Sequence, residues 1–329
     1  MRQKKPVVAI CYDFDGTLAP GNMQEYGFFP GLTDDNRRNF WNYSAALAKQ
    51  NGANQILAYM QLMLEKAKES KNQTDTPLKT TRKAIQEYGK SIKLFPGVDT
   101  WFKRIREHGK TRNLQVEHYI VSSGLKEMIE GSPIAKEFAK IYACSFMYDH
   151  NDAAMWPAQV VDCTSKTQYL FRISKAAHDL SETKELNARI DEKDRHVPFH
   201  RMIYIGDGST DVPSMMVVRS RGGYSIAVYQ PKSRSKRKEA LGLLNDERVH
   251  FCFPADYREG KPLETTVKAI LDKAKADWDV ELLMSKAKAS LSDPKSLDCE
   301  KDERSTPMER TTEPDESDSN ESSSAEEQE

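Results

Sequence analysis

The sequence predicts an α/β fold built on a doubly wound parallel sheet, and three observations carry that prediction. A short apolar run, Val7 to Tyr12, ends at once in Asp13-Phe14-Asp15-Gly16. From Phe95-Pro96-Gly97 onward, apolar runs of strand length alternate with segments of helical period, the order that gives parallel strands joined by helices. Between these regions lies a stretch, 31–92, with helical periodicity and no strand signal. Ligands of doubly wound sheets sit outside the carboxyl ends of the strands, so the polar residues that close the apolar runs are the ones to follow.

Val7 to Tyr12 is too short for a helix and stops at a turn signal, so it reads as a buried strand. Thr33 or Asp34 can cap a helix through Ala48. Gln50-Asn51-Gly52 interrupts it, and Gln55 to Lys68 resumes the pattern with Ile56, Leu57, Met60, Met63 and Leu64 on one face. A third helix is predicted between Lys79 and Ser91. An all-helical insertion after the first strand reads as a lid or cap on a sheet domain. The alternation then opens with a helix over Val98 to His108 and the strand "VEHYIVSSG", ending at Ser122. Further strands are predicted at Ile141–Met147, Gln159–Val161, Met202–Ile205, Tyr224–Val228 and His250–Phe253, and a long charged helix from Thr265 to about Ala287. The predicted domains are an α/β core over 5–30 and 93–290, a helical cap over 31–92, and an acidic tail over 291–329. The tail is rich in Ser, Glu, Asp and Thr, cannot offset its ordering entropy, and is predicted disordered.

A chain of 329 residues can bury one sizeable core with a smaller domain beside it. The apolar stretch after MRQKK is too short for a signal peptide, and no run is long enough to span a membrane. The five cysteines include no C-x-x-C pair, which argues against a disulfide framework and a zinc site and for reduced thiols in a cytoplasmic protein. The net charge of −1 conceals an asymmetry: Glu300–Glu329 holds twelve acidic residues against three basic, leaving 46 basic and 38 acidic in 1–299. A basic body suits anionic partners, a phosphorylated small molecule or a nucleic acid.

Four places present polar groups at strand ends or helix starts. They are Asp13 and Asp15 after the first strand, Ser122 after "HYIV", Lys166 opening a helix in "DCTSKTQYLF", and Asp207 and Asp211 in "IYIGDGSTDVPSM". Together they meet the needs of phosphoryl transfer. A carboxylate can attack phosphorus and split a hard hydrolysis into two easier steps. The anionic nucleophile and the phosphate repel, so a hard divalent cation with oxygen ligands must lie between them, and Mg²⁺ fits. Lys166 and Ser122, with N–H groups near Gly16 and Thr17, could hold the phosphoryl oxygens. Asp15, across the turn from Asp13, could protonate the leaving oxygen and then activate water.

"DFDGTL", the strand-terminal Ser122, Lys166 and "GDGSTD" resemble the four signature motifs of haloacid dehalogenase (HAD) superfamily hydrolases, over about residues 5 to 30 and 93 to 255. The resemblance implies a Rossmann-like core and a phosphatase. It implies Asp13 as nucleophile and Mg²⁺ ligand, and Asp15 as acid/base that also binds the metal through its carbonyl. Ser122 and Lys166 would bind phosphate, Asp207 would be a direct metal ligand and Asp211 a nearby support. Ser123 and Lys175 are rivals for the serine and lysine positions. Carrying both aspartates sets the chain apart from dehalogenating members, which lack the acid/base. A calcium-loop reading of "DFDG" fails for want of a third ligand before the glycine and a helix before the loop. The helical insertion resembles the cap of the phosphoserine phosphatase-like branch.

Caps suit small phosphorylated metabolites, and Arg37, Arg38, Tyr43 and Tyr59 are candidates for substrate contact. The basic run "KSRSKRK" at Lys232 to Lys238 raises a nucleic-acid contact, hence a polynucleotide phosphatase; its plainer reading is a solvated loop before a helix. Further alternatives are a protein phosphatase, or a non-enzymatic binding or regulatory module that keeps the fold and uses the acidic tail as its contact. His196 and His200 in "RHVPFHRM" are not expected to bind zinc, because Pro198 between them opposes a shared helix.

Overall fold

The computed structural model describes residues 5–71 and 77–291. The predicted acidic tail from residue 292 onward, with Cys299, lies outside them. In chain order the elements are β1 (Val7–Tyr12), α1 (Gln24–Gly27), α2 (Asp34–Asn51), α3 (Gln55–Ser70), α4 (Arg82–Gly89) and α5 (Val98–Thr111). Then come β2 (Gln115–Leu125), α6 (Lys126–Gly131), β3 (Lys140–Tyr148), β4 (Ala154–Gln159), α7 (Lys166–Lys175) and α8 (Lys184–Asn187). The chain continues through β5 (Met202–Gly206), α9 (Val212–Ser220), β6 (Tyr224–Tyr229), α10 (Arg234–Asn245), β7 (Phe251–Pro254) and α11 (Pro262–Leu291).

Among the described residues the strands form a seven-stranded sheet in the order β4-β3-β2-β1-β5-β6-β7. β1 lies between β2 and β5, parallel to both, and each of its residues is buried. The chain therefore winds outward from β1 through β2 and β3, then returns to build the other half from β5. This reversal is the topological switch point at which doubly wound sheets hold ligands, and Asp13 is the next residue after β1. The doubly wound fold read from the alternation is thus observed.

The sheet departs from prediction at its edge. The strand expected at Gln159–Val161 is instead β4, Ala154–Gln159, antiparallel to β3. β4 is apolar from Ala154 to Ala158 but holds Pro157, which is tolerated in a strand at a sheet edge; Met155 and Trp156 are exposed there. β2 also continues past Ser122 to Leu125, with an irregular register to β3 after Val121.

The helical insertion forms as read. Thr33 Oγ1 accepts the Asn36 N–H at α2, Gly52 closes it in the left-handed region at φ 57°, and Asn54 caps α3. On α3 the buried face is Tyr59, Met60, Leu62, Met63 and Leu64. Leu57, expected there, is exposed instead; it falls in the first turn of α3, at the margin of that face.

α11 begins earlier than predicted, and its buried stripe of Leu263, Val267, Ile270, Leu271 and Ala274 accounts for its place. Ion pairs tie it to α5: Arg104 Nε donates to Glu264 at 2.7 Å, and Asp272 meets His108 and Arg112 at 2.8 and 2.7 Å. Glu264 is 1% exposed and also accepts the Gly260 N–H at 2.6 Å. Burial alone would raise its carboxyl, but the hydrogen bonds from Arg104 and Gly260 hold it below the usual glutamate range. Glu264→Ala strands a guanidinium and should destabilise the fold by about 3 kcal/mol, read as a lower denaturant midpoint at unchanged slope. A loss below about 1 kcal/mol would show that the pair adds little.

The chain divides into two compact units, Met1–Asp279 and Val280–Glu329. The first holds the sheet and the inserted helices; the described part of the second is helical, with Val280, Leu283 and Met284 exposed. Among the described residues no helix is long and apolar enough to cross a membrane.

Candidate active site

The loop after β1 is held from both ends. Asp13 N–H donates to Ile205 O at 3.0 Å, so the chain leaves the sheet still attached to β5, and the N–H groups of Leu18 and Ala19 turn back to Phe14 O. Gly16 sits in the left-handed region at φ +74°, and a Cβ there would collide with the Asp207 carboxylate. Glycine is thus demanded twice, by the turn and by close approach. Asp15 Oδ1 accepts the Met23 N–H at 3.0 Å, which fixes its side chain on the insertion side of the loop.

Ser122 is buried, and its Oγ accepts the Gly124 N–H at 3.1 Å. The neighbouring Ser123 contributes its carbonyl, which takes the Tyr59 hydroxyl at 2.9 Å. Lys166 is delivered by a tight turn in which Asp162 Oδ1 accepts the N–H groups of Thr164 and Ser165 while Ser165 Oγ accepts that of Asp162. These bonds hold the Asp162 carboxyl below its usual range, Ser165 N–H foremost. Lys166, 1% exposed, lies 3.0 Å from Asp13 Oδ1 and 2.7 Å from Asp211 Oδ1. Its rival Lys175 is the last residue of α7, not a mid-helix one, and spends its ammonium on the Leu186 and Ala188 carbonyls.

Asp211 is fully buried and already engaged. Besides Lys166, its Oδ1 accepts the Tyr204 hydroxyl at 2.8 Å, and its Oδ2 faces Gly208 N–H at 3.4 Å. Carboxylate oxygens of Asp13, Asp207 and Asp211 lie within 4.8 Å of one another; the Asp15 side chain stands outside that trio. The structure thus brings Asp13, Asp15, Ser122, Lys166, Asp207 and Asp211 together at the carboxyl-end side of the central strands.

Negative charge outruns positive charge here. Burial first, then repulsion from neighbours, pushes the carboxyls upward. Asp13 reaches about 6 despite the pull of Lys166, Asp207 about 8 with Asp13 its strongest repelling neighbour, and Asp15 rises well above its usual range beside Asp13. Burial would lower Lys166, but Asp13 and Asp211 raise it above the ordinary lysine range. Although Lys166 is close, Asp13 Oδ1 has no aligned hydrogen-bond donor. A buried oxygen left open among carboxylates, with no nitrogen or sulfur ligand in the trio, fits a hard cation such as Mg²⁺.

Above these residues lies a cavity of about 530 Å³. Its floor is the cluster just described, and its walls include residues that sequence reasoning did not single out: Asn22, Gln24, Trp41 and Gln55 from the insertion side, and Gln230 and Lys236 opposite. Neutral amides carry no pattern that separates them from ordinary loop residues. Lys236 lay inside the basic run, which is not a loop: Ser233 caps α10, and Arg234 to Lys238 form its first turns. Of the four proposed substrate contacts Tyr59 lines the cavity. Arg37 instead binds the carbonyls of Phe29, Pro30 and Leu32, and Tyr43 binds Asp35. His196 pairs with Glu117 at 2.8 Å, whereas His200 lies in a separate 3-10 turn, Phe199–Arg201.

Polar side chains converging at the switch point of a doubly wound sheet, under inserted helices, place the protein in the class of α/β enzymes. Its sequence matches the family described as haloacid dehalogenase-like hydrolase over residues 10–216, and the chain belongs to that family. A protein of Borreliella burgdorferi, described as uncharacterized, is 28% identical over 289 residues, covering 80% of this chain and 96% of its own. Among solved structures, a phosphoserine phosphatase with a phospho-aspartyl intermediate analogue is similar at a TM-score of 0.46 and 14% identity. That match covers 76% of this chain and 94% of the other. A HAD family hydrolase from Salmonella enterica serovar Typhi gives a TM-score of 0.46 at 15% identity, covering 75% and 67%.

Proposed function

We propose that the protein is a Mg²⁺-dependent phosphatase that hydrolyses a small phosphorylated metabolite through an aspartyl-phosphate intermediate on Asp13. The observation that carries this reading is the position of Lys166 Nζ, within 3.0 Å of both Asp13 and Asp211 at the switch point of the sheet. Asp13 attacks phosphorus through a carboxylate oxygen. Asp15, whose carboxyl is held well above its usual range by burial, keeps a proton to give to the leaving oxygen and afterwards takes one from water. Ser122 and Lys166 hold the phosphoryl oxygens, and Lys166 balances the charge of Asp13 as the ester approaches.

Asp13, Asp207 and the Asp15 carbonyl would hold the Mg²⁺. Asp211 supports them from behind, since its Oδ1 is taken by Lys166 and Tyr204. When bound, the cation offsets the repulsion between the carboxylates and an incoming phosphate dianion. In this reading the insertion, 31–92, acts as a cap over the site.

The reading is tested without knowing the substrate. Beryllofluoride, which mimics a phosphoryl group on a carboxylate, should raise the melting temperature by several degrees when added with Mg²⁺, as any ligand selective for the folded state does. An unchanged melt would count against the phospho-enzyme geometry.

A further inference from the structure

We infer that the leaving group of the natural ester carries no negative charge and presents a flat apolar face with hydrogen-bonding edges. This inference rests on the phosphatase reading above and concerns the half of the cavity that the reaction chemistry does not use.

The walls contributed by the inserted helices hold no formal charge. Trp41 and Tyr59 supply rings, with centroids 5.9 Å apart and planes at 69°, and Ile56 and Ala45 add apolar surface. The polar groups between them are the amides of Asn22, Gln24 and Gln55 and the hydroxyl of Ser44. Gln24 is 2% exposed and its Oε1 has no partner. A buried acceptor left open on a cavity wall is costly unless a ligand donates to it, so it points to a donor on the leaving group.

Negative charge on the leaving group would find no free counterpart. Lys166 is consumed by Asp13 and Asp211, and Lys236 stands beside Asp207 and pairs with Glu239 at 3.1 Å. No other lysine or arginine lines the cavity among the described residues. An anionic leaving group would therefore bury its charge unpaired, near three carboxylates. Glu25 Oε1 accepts from Asn22 at 2.8 Å and from Trp41 at 3.3 Å, which fixes the indole as one wall. Pockets that leave a ligand's charge unmatched discriminate against it strongly.

The test compares kcat/KM, with Mg²⁺, for unactivated monoesters of similar size: benzyl phosphate, glycerol 3-phosphate, phosphoserine and 3-phosphoglycerate. Benzyl phosphate should exceed each ester whose leaving group carries a carboxylate by about tenfold or more, with glycerol 3-phosphate between. Trp41→Leu should shrink the preference for benzyl over glycerol phosphate by up to about tenfold. Gln55 is exposed at the start of α3, so Gln55→Arg can place a cation at the wall without disturbing the core. It should move the ratio of phosphoglycerate to benzyl phosphate upward by about tenfold. Phosphoserine or phosphoglycerate ahead of benzyl phosphate overturns the inference and leaves the phosphatase reading standing. A ratio unmoved in Gln55→Arg overturns it too, because the wall would then not meet the leaving group. No turnover of any ester overturns the phosphatase reading, and this inference with it.

Discussion

Asp13→Asn is expected to lower the turnover of phosphate esters by roughly 10⁴-fold or more, as loss of a covalent nucleophile does. The substitution keeps the shape of the side chain and leaves the main-chain bond from Asp13 to Ile205 intact, so the loop should hold its place. What disappears is the nucleophilic oxygen, because an amide is a far poorer one. Stability should not fall with activity: the aspartate sits where burial and Asp211 both oppose its charge, and a neutral amide escapes both. The measurement is phosphate release on an ester panel beside a thermal melt. Wild-type turnover in the variant would sink the covalent mechanism, and joint loss of turnover and folding would make the residue structural.

Withdrawal of divalent cations by EDTA should be nearly as severe, with turnover falling about 10³-fold and returning when Mg²⁺ is restored in excess. The electrostatics set the sign. Burial pushes Asp13 to about 6 and Asp207 to about 8, with Asp211 repelling Asp13 and Asp13 repelling Asp207, so the metal-free site resists full ionisation near neutral pH. A cation reverses that preference, releasing protons as it binds, and Mg²⁺ should also stabilise the fold by about 2.7 kcal/mol at a hundred times its dissociation constant. Turnover that ignores EDTA would refute the metal requirement.

The core of the fold was legible because the central strands β1 and β5 are buried throughout and read as unbroken apolar runs. Val7–Tyr12 and Met202–Gly206 are such strands, and the carboxylates follow directly after them. The failure at β4 has a different cause: Ala154 to Ala158 is apolar, but Pro157 in its middle speaks against a strand except at a sheet edge, so the reading slid to the residues after it. α11 was seen as a helix without a partner because its ion pairs reach back to α5, at a separation no local pattern records. Within the candidate site, Asp13, Asp15, Ser122, Lys166, Asp207 and Asp211 were found because their chemistry is distinctive at strand ends and helix starts. Asn22, Gln24, Trp41 and Gln55 escaped because uncharged side chains gain meaning only when the fold gathers them around one space. Lys236 was visible as charge, but only the start of α10 turns that charge toward the cavity.

The clash that any side chain at Gly16 would make with Asp207 works as a distance gauge. It sets how close the loop after β1 stands to the loop after β5, and both ends of that gauge rest on adjacent strands. The inserted helices take no part in the measurement. On the proposed function their sequence can drift, and with it the preference for one ester over another, while the spacing of Gly16 and Asp207 stays fixed. A chain so divided can change its diet without relearning its chemistry.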